Sequence, residues 1–124
     1  MLGLMNLYKT RPFARIAARA GLTGAALKKS AEEMSRGLIQ ADLGDQVFKQ
    51  RVALPGRGGG GRIVVVVSPR EDRYIFVHCY LAKDRDNPAP GEETAFRELG
   101  RLYLNLSGAD MEAAVMNCLL EEIT

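Results

Sequence analysis

The 124-residue sequence predicts an α+β fold: a compact antiparallel β-sheet with an N-terminal helical hairpin and C-terminal helices. Three observations predict it. Apolar side chains recur at three- and four-residue spacing over 12–38, at two-residue spacing over 47–81, and again at helical spacing after Pro88. Glycine, proline and short polar clusters separate these blocks, and the connections inside the middle block are short enough to make its strands antiparallel neighbours. A hydrophobic fraction of 47% is ample for one core at this length, so a single domain over 1–124 is expected, with its main body at about 4–106.

The opening supports a short strand around residues 4–8. Pro12 suits a first helical turn, Phe13, Ile16, Ala17 and Ala20 follow as one apolar stripe, and Gly21 ends that helix. Thr23 is an N-cap for a second helix whose Leu27, Ala31, Met34 and Leu38 share a face. Gly37 and Gly44 bracket a turn region.

In the next segment Phe48, Gln50, Val52 and Leu54 point one way, while Val47, Lys49, Arg51 and Ala53 point the other. Lys49 and Arg51 therefore stand side by side. After Pro55-Gly56 and the glycines at 58–61 comes RIVVVV, so rich in β-branched residues that it reads as a central strand covered on both faces. SPREDR forms a turn. A third strand over Arg73–Leu81 is expected to alternate Tyr74, Phe76, His78 and Tyr80 against Ile75, Val77, Cys79 and Leu81. A helix then carries Phe96, Leu99, Leu102, Tyr103 and Leu106 inward, and Ser107 with Asp110 resembles a capping box opening an extra C-terminal helix over 108–123, with Met111, Val115, Leu119 and Glu122 along one side.

The charge is segregated. Residues 1–48 hold seven Lys/Arg and four Asp/Glu, residues 49–85 eight and three, and residues 86–124 two and eight. A positive middle attracts polyanions, and an acidic final segment could complete the core or give way to a partner's helix. The longest uninterrupted apolar run, at 63–67, is far too short to span a bilayer, and the N-terminus lacks a signal pattern, so a soluble, cytoplasmic protein without membrane contact is expected. Cys79 and Cys118 form no CxxC motif and read as reduced, packed thiols.

Several chemistries are disfavoured by the residues at hand. Gly56 and Gly61 have phosphate-loop spacing, yet Arg62 and Ile63 stand where Lys and Ser/Thr would be required, and a strand follows instead of a helix. The single histidine, His78, lies among apolar residues and reads first as a core residue. No Ser or Cys triad and no metal cage is indicated, and no cofactor is expected. Cations remain. They suffice for phosphodiester cleavage when the ribose 2′-hydroxyl of RNA is the nucleophile, because the site then needs a base, an acid and charge for the phosphorane. Lys49 can lose a proton and is the base candidate. Arg62 and Arg85 stabilise phosphate charge without deprotonating. Arg57 at the rim of the glycine loop can clamp an anion. The plainer alternative is a set of cations that only docks a nucleic-acid backbone.

The order YKTxxFARxA, GLxxADLG, FKQRVAxPGxG, GGR, AKDRDN and AFRELG, over residues 6–106, resembles the RelE/HigB group of bacterial toxin–antitoxin toxins. The resemblance implies a RelE-like sheet flanked by helices, ribosome-dependent endoribonuclease activity on messenger RNA leaving 2′,3′-cyclic phosphate ends, and a cognate antitoxin of helix-turn-helix type. It implies catalytic roles for Lys49, Arg51, Arg62 and Arg85 and an RNA contact by Lys83; beside it, the residues themselves offer Arg57 as a further RNA contact and Tyr80 or Tyr74 as a stacking platform, with the core as the alternative place for both rings. The chain departs from the group in a shortened GRGGGG loop lacking a Lys and a Ser, and in having no tyrosine between Asn87 and Tyr103. The alternatives are a ParE-like gyrase inhibitor and a decayed module that binds antitoxin or nucleic acid. Self-association is left open.

Overall fold

A computed structural model of the chain describes residues 5–54, 56, 58–84 and 87–124. The elements run β1 (Asn6–Thr10), α1 (Arg11–Ala20), α2 (Gly24–Ser35), β2 (Ala41–Gly44), β3 (Val47–Val52), β4 (Gly61–Ser68), β5 (Arg73–Leu81), α3 (Glu92–Leu104), α4 (Gly108–Met116) and β6 (Leu120–Ile123). The six strands form one sheet in the order β2-β3-β4-β5-β1-β6. All neighbours are antiparallel except β1 and β5, which are parallel.

Local chemistry starts and stops the helices where the sequence indicates. The Thr10 and Thr23 hydroxyls accept from the Phe13 and Ala26 backbone N–H groups, and Gly21 closes α1 with φ 74°. Helices cover both faces of the sheet. Phe13 and Ala17 of α1 with Leu27, Ala31 and Met34 of α2 pack on Val52, Ile63, Val65, Val67, Tyr74 and Phe76. On the other face Phe96 and Met111, from α3 and α4, pack on Val47, Val64, Val66 and Ile75. β4 is buried along its whole length, as its composition requires. Gly100 in mid-α3 allows the helix to sit on the β2–β3 turn, since a Cβ there would lie 2.7 Å from the Asp45 carbonyl oxygen.

Four expectations are corrected. The final helix stops at Met116 instead of continuing to residue 123. Asn117 caps it, Cys118 turns left-handed at φ 60°, and Leu120–Ile123 pairs with the edge of β1. Backbone pairing with an open strand edge outweighs the helical period of Leu119 and Glu122, and Leu119 is exposed. Leu38 lies beyond α2 and Leu102 faces outward, so both are exposed. Cys79 is buried, whereas Cys118, on the turn before β6, is exposed.

The fourth correction bears on function. β5 pairs with β4 regularly from Arg73 to Phe76, opposite Ser68 to Val65, but Val64 then pairs with His78. Val77 is an extra residue, a β-bulge. Side chains beyond it are turned by one step, so His78 and Tyr80 leave the face of Phe76 while Cys79 joins it.

Candidate functional site

At one end of the sheet face that carries α3 and α4, three strands align their side chains in two rows. Arg51, Arg62 and Tyr80 are direct partners across β3, β4 and β5, and Lys49, Val64 and His78 form the adjacent row. Side chains directly opposite one another on adjacent strands have Cβ atoms about 5 Å apart, so Arg51 and Arg62 are immediate neighbours. Like charges in that position are unfavourable unless an anion lies between them. The rest of this face, beyond the Lys49 row, is the apolar floor under α3 and α4.

Each cation is set differently. Lys49 is only 4% exposed, and its Nζ donates to Asn87 Oδ1 at 2.8 Å, joining β3 to the segment that leads into α3. Arg62 is 9% exposed, and its guanidinium donates to the carbonyl oxygens of Gly59 at 3.2 Å and Gly61 at 3.1 Å. The glycine loop is thus built around Arg62. Gly60, at φ 67°, lies so close to β3 that a Cβ would come within 2.6 Å of the Val52 carbonyl oxygen, and its own carbonyl accepts from Ala82. Arg51 is exposed at the margin of β3, beyond the reach of β2. Its carbonyl accepts from the Ser30 hydroxyl, and it lines a hollow of about 410 Å³ with Lys29 and Glu33 of α2 and Gly59 and Gly60.

The sequence places His78 among core residues. The bulge at Val77 places it in the Lys49 row, half-buried, with its ring 5.3 Å from that of Phe96 and 6.2 Å from that of Tyr80. Its Nε2 lies 4.0 Å from Glu92 Oε2, and the other oxygen of that carboxylate accepts from the Ala89 backbone N–H at 2.8 Å. Asn87 and Glu92 were not singled out in the sequence. The only signals were that Asn87 directly follows the basic AKDRD segment and that Glu92 follows a Gly where an acidic first helical turn is favoured.

Of the other candidates, Lys83 is exposed in the turn after β5. Tyr80 is buried in the apolar cluster with Phe96, so its ring serves as a wall of the site and presents little face for a base to stack on. Arg57 and Arg85 lie outside the described residues. Arg73, counted with the basic middle of the sequence, is at the far end of β5, where it donates to the Leu106 carbonyl at 3.1 Å. Of the acidic C-terminal segment, Glu92 reaches the basic rows through His78, whereas the final strand does not. β6 is at the opposite edge of the sheet from β3, and Glu121 pairs with Lys9 at 3.7 Å.

Among the described residues no His, Cys, Asp and Glu cluster has the arrangement of a metal site, and no helix is long and apolar enough to cross a membrane. Compared with known families, the chain matches over residues 5–123 the model described as the RelE toxin of the RelE/RelB toxin–antitoxin system. No curated protein matches it.

Proposed function

The chain belongs to the RelE family of toxins of toxin–antitoxin systems, and from that membership we propose that it is a cytoplasmic endoribonuclease that cuts messenger RNA on the ribosome. A toxin of this family implies a cognate antitoxin, and for this chain a helix-turn-helix protein is the partner we infer. The single observation that carries the nuclease reading is the placement of Arg51 directly opposite Arg62 with Lys49 in the neighbouring row of the same face.

The chemistry follows from that placement. RNA carries its own nucleophile, so the protein's task is to hold one phosphate in line with a ribose 2′-hydroxyl, move two protons and stabilise a pentacovalent dianion. Arg51, exposed at the strand margin, draws the backbone in. Arg62 presents guanidinium N–H groups that the glycine carbonyls hold in orientation, and it retains its charge throughout. Lys49 is the one of the three able to give up a proton: once RNA displaces Asn87 from its ammonium, the group releases one proton to solvent, and the neutral amine then takes the 2′-hydroxyl proton. The 2′ oxygen bonds to phosphorus, the bond to the 5′ oxygen breaks, and a proton returns to that oxygen. Lys83, exposed in the turn after β5, extends the contact along the strand.

The test uses purified protein and ribosomes programmed with end-labelled messenger RNA. The expected result is cleavage leaving a 2′,3′-cyclic phosphate, abolished by a 2′-deoxy substitution at the scissile nucleotide. Intact RNA together with inhibited gyrase supercoiling would overturn the reading in favour of a ParE-like action.

A further inference from the structure

Resting on the ribonuclease reading above, we propose that His78 is the proton donor to the departing 5′ oxygen and that Glu92 is the positioning residue that holds its imidazole. Without the extra Val77, strict alternation would put His78 opposite Ile63, on the face packed against α1 and α2; with it, His78 stands in the row of Lys49. Bulges that re-aim one side chain are found preferentially beside active sites. The histidine is then gripped from two sides, by the Phe96 ring at 5.3 Å and by Glu92 Oε2 at 4.0 Å from Nε2. The Ala89 N–H fixes the same carboxylate. An imidazole oriented by a carboxylate is an arrangement suited to proton transfer near neutral pH.

The spacing suits the reaction. Lys49 and His78 are separated by β4, two strand spacings or about 10 Å across the sheet. An in-line displacement needs its base and its acid at opposite ends of the phosphate's apical axis, each about 2.8 Å from an oxygen. Long side chains rising from β3 and β5 can straddle it, with Val64 as the apolar floor and Arg62 at its flank. The step balances: Lys49, as the amine that has lost one proton to solvent, accepts the 2′-hydroxyl proton and becomes an ammonium, the O2′–P bond forms, the P–O5′ bond breaks, and the imidazolium of His78 gives its proton to O5′ and becomes neutral. Solvent restores both protonation states after release.

Among the described residues, the charged and titratable groups facing His78 include Glu92 from α3, Arg62 from β4, Lys49 from β3 and Tyr80 from its own strand. Glu92 favours the imidazolium, and the two cations oppose it. Removing the carboxylate therefore lowers the pH at which the acid is lost.

The test is single-turnover cleavage of ribosome-bound messenger RNA across a pH series, with RNA binding measured in parallel. The wild-type rate is expected to fall on an alkaline limb. His78→Asn should lose at least about a hundredfold in rate, the low end for a general acid, together with that limb, while RNA binding changes less than about twofold. Glu92→Gln should shift the limb to lower pH, and the NMR titration of the chain's one histidine should move with it. Cleavage by His78→Asn within about threefold of wild type, with the limb intact, would overturn the assignment. Should His78→Asn not fold, Glu92→Gln decides, and an unmoved limb overturns it. A wild-type protein that leaves ribosome-bound RNA uncut contradicts the underlying nuclease reading, a result distinct from cleavage that ignores His78.

Discussion

Lys49 and Asn87, 38 residues apart, are joined by a 2.8 Å hydrogen bond from Nζ to Oδ1. That contact ties the basic strand β3 to the segment leading into α3, so the ammonium group and the Glu92 carboxylate are set by one short stretch of chain. Asn87→Ala removes an acceptor from a buried ammonium. The expected stability loss is about 1–3 kcal/mol by denaturant unfolding. Cleavage should persist in this variant, because Asn87 only occupies the position that RNA takes.

Arg62 has a structural and a chemical duty, and two variants separate them. Arg62→Ala strands the Gly59 and Gly61 carbonyls and removes a phosphate contact, and it should reduce single-turnover cleavage by about a hundredfold to a thousandfold. Arg62→Lys keeps the charge but lacks the planar fork. Rates between those of Arg62→Ala and wild type are expected, measured on the same ribosome-bound RNA.

Gly60→Ala tests the glycine loop as a fitted element. The left-handed backbone alone costs a non-glycine residue about 1–2 kcal/mol, and the contact with the Val52 carbonyl oxygen adds to it. A lowered thermal midpoint is expected. An unchanged midpoint would mean that the loop does not pack against β3.

The two thiols should behave oppositely. Burial pushes the Cys79 thiol above its ordinary value, whereas Cys118 is exposed on the turn before β6. A disulfide reagent such as DTNB should modify one thiol per native chain at once, assigned to Cys118 by mass spectrometry, and the second only on unfolding.

The Asp110 carboxyl is held below its ordinary value, first by the Ser107 backbone N–H at 2.9 Å and then by the Ser107 side chain. Its folded value lies below its unfolded one. The stabilisation is therefore present above the unfolded carboxylate pKa, about 3.9, and is lost as pH falls through the depressed folded value. The check is an NMR titration of Asp110. Ser107→Ala removes the hydroxyl and keeps the backbone N–H, so the midpoint should rise only part of the way toward the ordinary value, and no movement would exclude the hydroxyl as a contributor.

Much of this arrangement was legible in the sequence because it rests on local rules. The caps at Thr23 and Ser107 follow from side-chain oxygens meeting open helix amides. The common face of Lys49 and Arg51 follows from the twofold period of a strand without bulges, and the buried character of β4 follows from its unbroken β-branched run. What escaped depends on distant pairing. FVHCY contains no glycine or proline to mark a bulge, so only the β4 register reveals that Val77 is the extra residue and that His78 changes face. Likewise LEEI continues the helical spacing of α4 and becomes a strand only because the edge of β1 is open to it. Asn87 and Glu92 acquire a role only through contacts made across the fold.

The most direct test of the basic face as an RNA-cleaving site is a primer-extension map of messenger RNA ends in cells expressing the wild-type chain, beside Lys49→Met and Arg62→Ala expressed to equal levels. The account predicts new 5′ ends within translated regions for wild type, with their loss in both variants. New ends of equal intensity in all three would contradict it.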